Sequence, residues 1–516
     1  MSKLFWQLAW AGPRMQGQGW AVMPDPAQGN ARLACVPVEE RSGRVVLARP
    51  DPLAPVDTIC APLNEWTRAA PPDSGSWSAL LCLLGYDQPV GQVGGNWVQQ
   101  PAQPRSFGLQ GLLGPHLQPT PMRLRPSAPG EVDAEELQHA IDHYNDTARD
   151  TLLGHVIRPP VLPPRMTPGK VTLAFASCQY PAGFMDRGPA EASCLRLEHY
   201  LEQRGHPVPS MLLLVGDQIY SDATAGLIDP IRMDDRYRVP YEEWLRINPL
   251  RRIMGRIPVL TMLDDHEITD NWEPYRPGAW GPEFEEGVQA FWAYQRMLKH
   301  RRSRHSLRKR TWFKLRNAVE GWSLFMADSR TQRDPRNAST LGSAGILGQR
   351  QMAQLREWLV APLRQHDLKL IATPAMLLPR LIEHQDAPLH LDNWQGYPES
   401  LHGLLAHICD HGVRDVCFLS GDAHLGCDAA IRVSGTNGKQ AVLRSIHSPA
   451  LYAPMPFANE QPHNLALGHD RFEFNSNGVQ YTCQVDSRLL ASGSDGCCLL
   501  EAQRKIGGWD VICRVL

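Results

Sequence analysis

VLTMLDDHEITDNW, residues Val259 to Trp272, changes character within one residue. Val259, Leu260, Met262 and Leu263 read as a buried strand, and Asp264, Asp265, His266 and Glu267 follow with no spacer. A solvated loop needs no apolar approach, and a core strand does not end on three carboxylates unless positive charge offsets them. Other apolar runs end in a similar way. AFASC ends on Cys178, and LLLVGD ends on Asp217 with Tyr220 three residues later. LFMADSR ends on Asp328 and Arg330, and CFLSGDAH on Asp422 and His424. Ligands of α/β sheets bind beyond the carboxyl ends of the strands. These five strand ends are therefore expected to deliver one thiol, one phenol, several carboxylates and two imidazoles to a common place.

The surrounding chain supports that architecture. Core strands are read at KVTLAFASC, MLLLVGD, IPVLTMLDD, WSLFMADSR, LKLIATP, VCFLSGDAH and QAVLRSIHS. Helices are read between them at PAEASCLRLEHYLEQRG, EEGVQAFWAYQRMLKHRR and GQRQMAQLREWLVAPL. Strands alternating with helices indicate the α/β class, with sheets covered by helices. VQYTCQV, CCLLEAQ and WDVICRVL are expected to complete a sheet. Residues 1–125 differ: short apolar runs such as RVVLARP and SALLCLLG alternate with Pro and Gly, the pattern of a β-rich domain. DAEELQHAIDHYNDTARDTLLGHV, from Asp133, reads as a helix, and RPPVLPPRMTPG, Arg158 to Gly169, as a stiff linker. Residues 126–169 thus separate the first domain from a catalytic domain at 170–516.

The totals narrow the function classes. A chain of 516 residues with 43% hydrophobic and 21% charged residues has the make-up of a soluble globular enzyme. A formal net charge of −2 argues against a nucleic-acid coat or a polybasic membrane binder. No apolar run approaches the roughly 18 residues of a membrane span. MSKLFWQLAWAGPRMQGQGW lacks a twin-Arg pair and a clear cleavage site, so no signal peptide is read there. The 12 Cys are scattered without a CxxC pair. A reduced, cytoplasmic protein is the expectation. LKHRRSRHSLRKRTWFKLR, Leu298 to Arg316, is strongly basic and reads either as a solvated helix end or as a rim for anionic substrates, nucleic acid included.

Each candidate residue has a plain reading when taken alone. Asp at a strand end commonly caps a helix, Cys178 fits a buried small hydrophobe, and His266 fits a hydrogen-bonded surface or core position. Their convergence changes the reading, because clustered carboxylates cannot be desolvated together without a strong cation. Divalent or trivalent metal ions are therefore expected. Asp217, turned out of its strand by Gly216, is best placed to bridge two ions. Tyr220 and Cys178 would bind as anions, which suits a hard ion such as Fe(III) for the phenolate. Asp265 and other oxygen donors suit Ca²⁺ or Mg²⁺, with Zn²⁺ and Mn²⁺ left open. Arg330 and Arg333 fit guanidinium contacts to phosphate and, equally, ion pairs with Asp328 or Asp334. Asp392 and Trp394, in LDNWQGYP, fit a substrate rim or a packed loop. His447, in SIHSP, lies near the expected site as ligand or scaffold.

In this order, FASCQ, GDQIYSD, LDDHEITDNW, DSRTQR, DNWQGY and LSGDAH resemble the motifs of PhoD-like alkaline phosphatases/phosphodiesterases, a branch of the calcineurin-like metallophosphoesterase superfamily. The resemblance covers about Lys170 to His447. It implies a four-layer α-β-β-α catalytic domain and a centre containing iron and calcium. Carried over, Cys178, Asp217, Tyr220 and Asp422 hold the iron-like ion. Asp217, Asp265 and His424 surround the second site, with Asn271 a further candidate, and His266 takes the place of the catalytic histidine. The GDxxY element is also similar to purple acid phosphatases, whose tyrosine binds Fe(III). Ser177-Cys178-Gln179, Asp264-Asp265-His266 and Gly421-Asp422-Ala423-His424 replace the superfamily's Asp-x-His, Gly-Asn-His and Gly-His-x-His, which argues against a histidine-rich dizinc site. The expected activity is hydrolysis of a small phosphoester, diester or monoester, with His266, Asp265 and Arg330 acting in the chemistry. Two rivals are a catalytically silent metal- and phosphate-binding protein and a nuclease-type diesterase that uses the 298–316 run.

Overall fold

The computed structural model describes residues 168–516 apart from short internal stretches and, before them, the backbone of eight strands between Gln16 and Val132. Among the latter, Gln16–Asp25 pairs antiparallel with Asn30–Glu40, which pairs antiparallel with Val45–Ala48. The helix expected from Asp133, nearly all of the Arg158–Gly169 linker and the basic run up to residue 310 lie outside the described residues.

From Lys170 the chain runs β1 (Lys170–Gln179), α1 (Arg187–Glu202), β2 (Leu212–Leu214), α2 (Met233–Trp244), β3 (Val259–Thr261) and α3 (Pro282–Tyr294). It continues through β4 (Phe313–Asn317), β5 (Trp322–Met326), α4 (Gln349–Val360), β6 (Leu368–Ala372), α5 (Pro398–Asp410) and β7 (Val416–Ser420). A run of strands closes it: β8 (Cys427–Gly435), β9 (Gln440–His447), β10 (Ala450–Tyr452), β11 (His469–Ser476), β12 (Val479–Leu489), β13 (Cys498–Lys505) and β14 (Gly508–Val515).

The strands form two sheets of mixed direction. The smaller has the order β3-β2-β1-β13-β14, with β10 also pairing β1; β1, β2, β3 and β10 are parallel, and β13 and β14 antiparallel. The larger has the order β4-β5-β6-β7-β9-β8-β12-β11, parallel from β5 to β9 and antiparallel elsewhere. Strands buried on both faces need near-continuous apolar sequence, which is why β2 and β7 read as hydrophobic runs and β6 as one interrupted by Lys369 alone.

The sheets share one apolar core. Leu173 and Phe175 of β1 and Leu213 of β2 meet Leu324 and Met326 of β5, Leu370 of β6 and Leu419 of β7 there. The other face of the larger sheet is covered by α4 and α5. In α4, Met352, Leu355 and Leu359 recur at helical spacing, and in α5, Leu401, Leu404, Leu405 and Ile408 do so after Pro398 in the first turn. On the smaller sheet, α1 lies against β10, with the Ser193 hydroxyl donating to the Leu451 carbonyl at 2.6 Å. The fold is a mixed α/β arrangement in which residues at the ends of strands from both sheets gather at one place. Among the described residues, no helix is long and apolar enough to cross a membrane.

Candidate metal centre

The end of β1 and the loops after β2, β3 and β7 meet. Ligand atoms of Cys178, Asp217 and His424 lie within 4.8 Å of one another, as do those of Asp217, Asp264, Asp265 and Asp422. Asp217 belongs to both groups. The Tyr220 hydroxyl is 3.0 Å from His424 Nε2, and the Cys178 thiol is 3.3 Å from an Asp217 oxygen. A third group, Asp265, His266 and Asp270, extends toward solvent.

The backbone is bent to achieve this. Cys178, Asp217, Asn271, Asp422 and His424 have φ of 59°, 53°, 52°, 81° and 53°. Side-chain-bearing residues rarely occupy that left-handed region, and such residues concentrate at functional sites. Two glycines let the loops close on one another. A Cβ on Gly216 (φ 114°) would stand 2.6 Å from Asp264 Cβ, and one on Gly421 would collide with the Ser177 side chain.

Burial dominates the electrostatics. It pushes the Asp217 carboxyl well above the usual carboxylate range, reinforced by Asp265 and Asp264. It does the same to Asp422, with Asp264 and Asp265 adding to it. The Cys178 thiol and the Tyr220 phenol are also raised well above their ordinary values, first by burial and then by Asp217 and Cys178 respectively. Asp264 is pushed up to about 7 because burial outweighs Arg330. Asp265 goes the other way: burial opposes ionisation, but Arg330 and His266 outweigh it. For His266, burial works against the proton, yet Asp265 and Asp222 raise it to about 9.

These residues fit a metal centre. Asp217 Oδ1 and Asp264 Oδ2 are buried without a hydrogen-bond partner among the described residues. Without added positive charge, burial keeps the thiol, the phenol and two of the carboxyls protonated; a multivalent cation is what lets them act as anions. Asn271 joins the site through its backbone, its N–H donating to Asp265 at 2.7 Å. His447 is buried beneath the β7 loop, with Nδ1 3.0 Å from the Ser420 hydroxyl and Nε2 without a hydrogen-bond partner among the described residues.

The arginines do not form the expected ion pairs with Asp328 or Asp334. Arg330 has no exposed surface; Nε pairs with Asp264, and Nη2 pairs with Asp392 and lies 3.5 Å from Asp265. Arg333 pairs with Asp392 at 2.5 Å and donates to the Ser329 carbonyl at 2.7 Å. Asp392 thus bridges the two guanidinium groups. Asp328 instead accepts the backbone N–H groups of Arg330 and Thr331 at 3.0 and 2.8 Å, and Asp334 accepts from Gly345 at 2.9 Å. Trp394 is a core residue with 0% exposure, its Nε1 donating to Thr373 Oγ1 at 3.2 Å.

Two residues escaped the sequence reading. Asp222 lies 2.8 Å from His266 Nδ1 and accepts the Asp270 N–H at 2.5 Å. The Tyr220 ring stands 4.0 Å from the His266 ring. Glu267 is fully buried and accepts backbone N–H groups from both neighbouring loops. Asp222 had a signal, an acidic residue two positions after the ligand-type tyrosine, whereas Glu267 looked like one more charge in a cluster.

A model of the PhoD-like phosphatase family matches residues 173–488. A solved structure titled "Structure of PhoD" is similar at 15% identity and a TM-score of 0.45, covering 70% of this chain and 74% of that one. No curated protein matches this chain.

Proposed function

The chain belongs to the PhoD-like phosphatase family of metal-dependent hydrolases, and on that premise we propose that it hydrolyses phosphoesters at a centre held by Cys178, Asp217, Tyr220, Asp265, Asp422 and His424. The observation that carries the reading is the shared carboxylate: Asp217 stands within ligand distance of a thiol–imidazole group and of a carboxylate group at once. Cys178 and Tyr220 suit Fe(III), and the all-oxygen set around Asp265 suits Ca²⁺, with Zn²⁺, Mn²⁺ or Mg²⁺ as substitutes. When bound, such ions polarise phosphoryl oxygens and lower the pKa of a coordinated water.

The chain's own residues supply the rest. Asp222 fixes His266 through Nδ1, which directs Nε2, 3.7 Å from the exposed Asp270 carboxylate, to present a proton to the leaving-group oxygen. The Tyr220 ring limits the rotation of that imidazole. Arg330 and Arg333 act through the carboxylates they pair, holding Asp264, Asp265 and Asp392 in place. The four-layer α-β-β-α reading is supported by the core shared between the two sheets, by α4 and α5 on one outer face and by α1 against β10.

The substrate is a small phosphoester, with diesters preferred over monoesters on the resemblance alone. The test is to compare hydrolysis of bis-p-nitrophenyl phosphate and p-nitrophenyl phosphate across pH, with Asp217→Asn as the blank. Turnover that disappears in the blank supports the reading, and the faster substrate separates diesterase from monoesterase. If neither is hydrolysed after iron and calcium are supplied, the catalytic reading is lost in favour of a silent metal- and phosphate-binding protein.

A further inference from the structure

We propose that Glu267 is the positioning residue of this centre, a buried hydrogen-bond acceptor that holds the Asp217 turn and the end of β3 in register. The inference rests on the metal-centre reading above and adds a residue to it.

Both oxygens of the Glu267 carboxylate point at backbone N–H groups. Oε2 accepts from Asp217 at 3.1 Å and from Asp264 at 2.7 Å, while Oε1 accepts from Gln218 at 2.7 Å and from Ile219 at 3.4 Å. Three successive N–H groups, from residues 217 to 219, thus converge on one carboxylate. Successive amides turned to one side by a left-handed residue form an anion-binding concavity, and Asp217 is that residue, with φ of 53°. The carboxylate therefore offsets the conformational cost of the turn that aims Asp217 at the other ligands. Its fourth bond ties the same turn to Asp264, so the loops after β2 and β3 move as one.

Glu267 is itself held from behind. A Cβ on Gly287 of α3 would collide with the Glu267 carbonyl oxygen, so the helix packs against this backbone with no room to spare. The Ile268 carbonyl next to it accepts from the Tyr237 hydroxyl at 2.6 Å and from Ser221 at 3.1 Å. The Ser221 N–H closes a further link to the His266 carbonyl at 3.1 Å. The residue type matters as much as the position. Four donors face two oxygens, so Glu267→Gln replaces one acceptor with an NH₂ group that faces N–H donors, leaving one loop without its partner. Glu267→Asp keeps the carboxyl group but shortens the reach by one methylene, so it cannot span both loops.

The test uses the full-length protein, stripped with a chelator, and three readouts. Mn²⁺ binding is followed by titration calorimetry, amide hydrogen exchange by mass spectrometry, and hydrolysis of bis-p-nitrophenyl phosphate at saturating Mn²⁺. Replacing groups that orient metal ligands costs about 10- to 100-fold in metal affinity. Glu267→Gln should weaken Mn²⁺ binding by about tenfold or more and speed exchange in peptides carrying Asp217–Ile219 and Asp264. Exchange in β7 should stay unchanged, and saturating Mn²⁺ should restore much of the lost turnover. Glu267→Asp should fall on the same side as Glu267→Gln. Unchanged Mn²⁺ affinity in both variants would overturn the proposal, and so would equal acceleration of exchange in β7, which would make Glu267 a general stabiliser. If the wild-type protein binds no Mn²⁺ and hydrolyses nothing, the metal-centre reading fails on its own, and the local exchange data still judge the clamp.

Discussion

Replacing Arg330 with Met removes a fully buried guanidinium from among three carboxylates while keeping most of the side-chain volume. Deleting one partner of a buried ion pair typically costs about 3–5 kcal/mol, because the charge left behind has no compensation. Unfolding entropies scale at roughly 2 cal/mol/K per residue, so over about 350 residues that loss lowers Tm by about 4–7 °C. Asp264 sets the lower end of this range. Burial already pushes it up to about 7 beside Arg330, so in the variant it can take up a proton and limit the cost. A bound cation should neutralise the same carboxylates, which gives the prediction its sharper form. The drop in Tm, followed by differential scanning fluorimetry, should be large in chelator and clearly smaller with Mn²⁺. Arg330→Lys should not rescue the protein, since one ammonium cannot replace a planar fork directed at Asp264 and Asp392. If Arg330→Met melts within about 1 °C of the wild type in chelator, Arg330 is not the counter-charge of this cluster.

Asp222→Asn should move the alkaline limb of the pH–rate profile down by about one unit or more. His266 is held at about 9, against burial, by Asp265 and Asp222, and it therefore carries its proton below that pH. An unmoved limb would remove His266 as the group that titrates. His402→Phe tests stability away from the site: burial lowers His402 to about 4, and its ring stacks on Phe474 at 4.6 Å. Because the unfolded chain protonates this residue near 6.5, its contribution is present above that pH and is lost as pH falls toward 4. Allowing for partial exposure, the loss is roughly 2–3 kcal/mol. The stability of His402→Phe relative to wild type should therefore rise between pH 7.5 and 4.5, and a constant difference would refute the assignment.

The strands were legible because parallel strands covered on both sides need near-continuous apolar runs, and β2, β3, β6 and β7 have them, with Lys369 the one charge among them. Residues at the ends of those runs were legible for the same reason, since the fold sends consecutive strand ends to one place. Cys178, Asp217, Asp265, Asp422 and His424 gather accordingly. The helix Met233–Trp244 was not read, because Pro240 within it and Met233-Asp-Asp-Arg at its start obscure any helical period. The use of each charge was not legible either. Arg330 was read as contacting phosphate or pairing with Asp328; the carboxylates it pairs with are Asp264 and Asp392, 66 residues before and well after it in the chain, not Asp328. Sequence places a guanidinium near a strand end, and only packing decides which carboxylates reach it. Glu267 shows the same limit, because its partners are backbone amides, which no side-chain pattern reveals.

The left-handed turns at Cys178, Asp217, Asn271, Asp422 and His424 bear on how this protein would respond to selection. A side-chain-bearing residue in that region costs about 1–2 kcal/mol relative to glycine, so the five together carry several kcal/mol of conformational cost at the centre. Glycine at any one of them relaxes the chain and deletes a ligand or its neighbour in the same step. A library selected for heat resistance alone would therefore drift toward glycine at these positions, and its survivors would gain melting temperature as they lost the centre. Engineering this fold for endurance calls for a selection that demands turnover at every round, or for a design that leaves these five codons untouched.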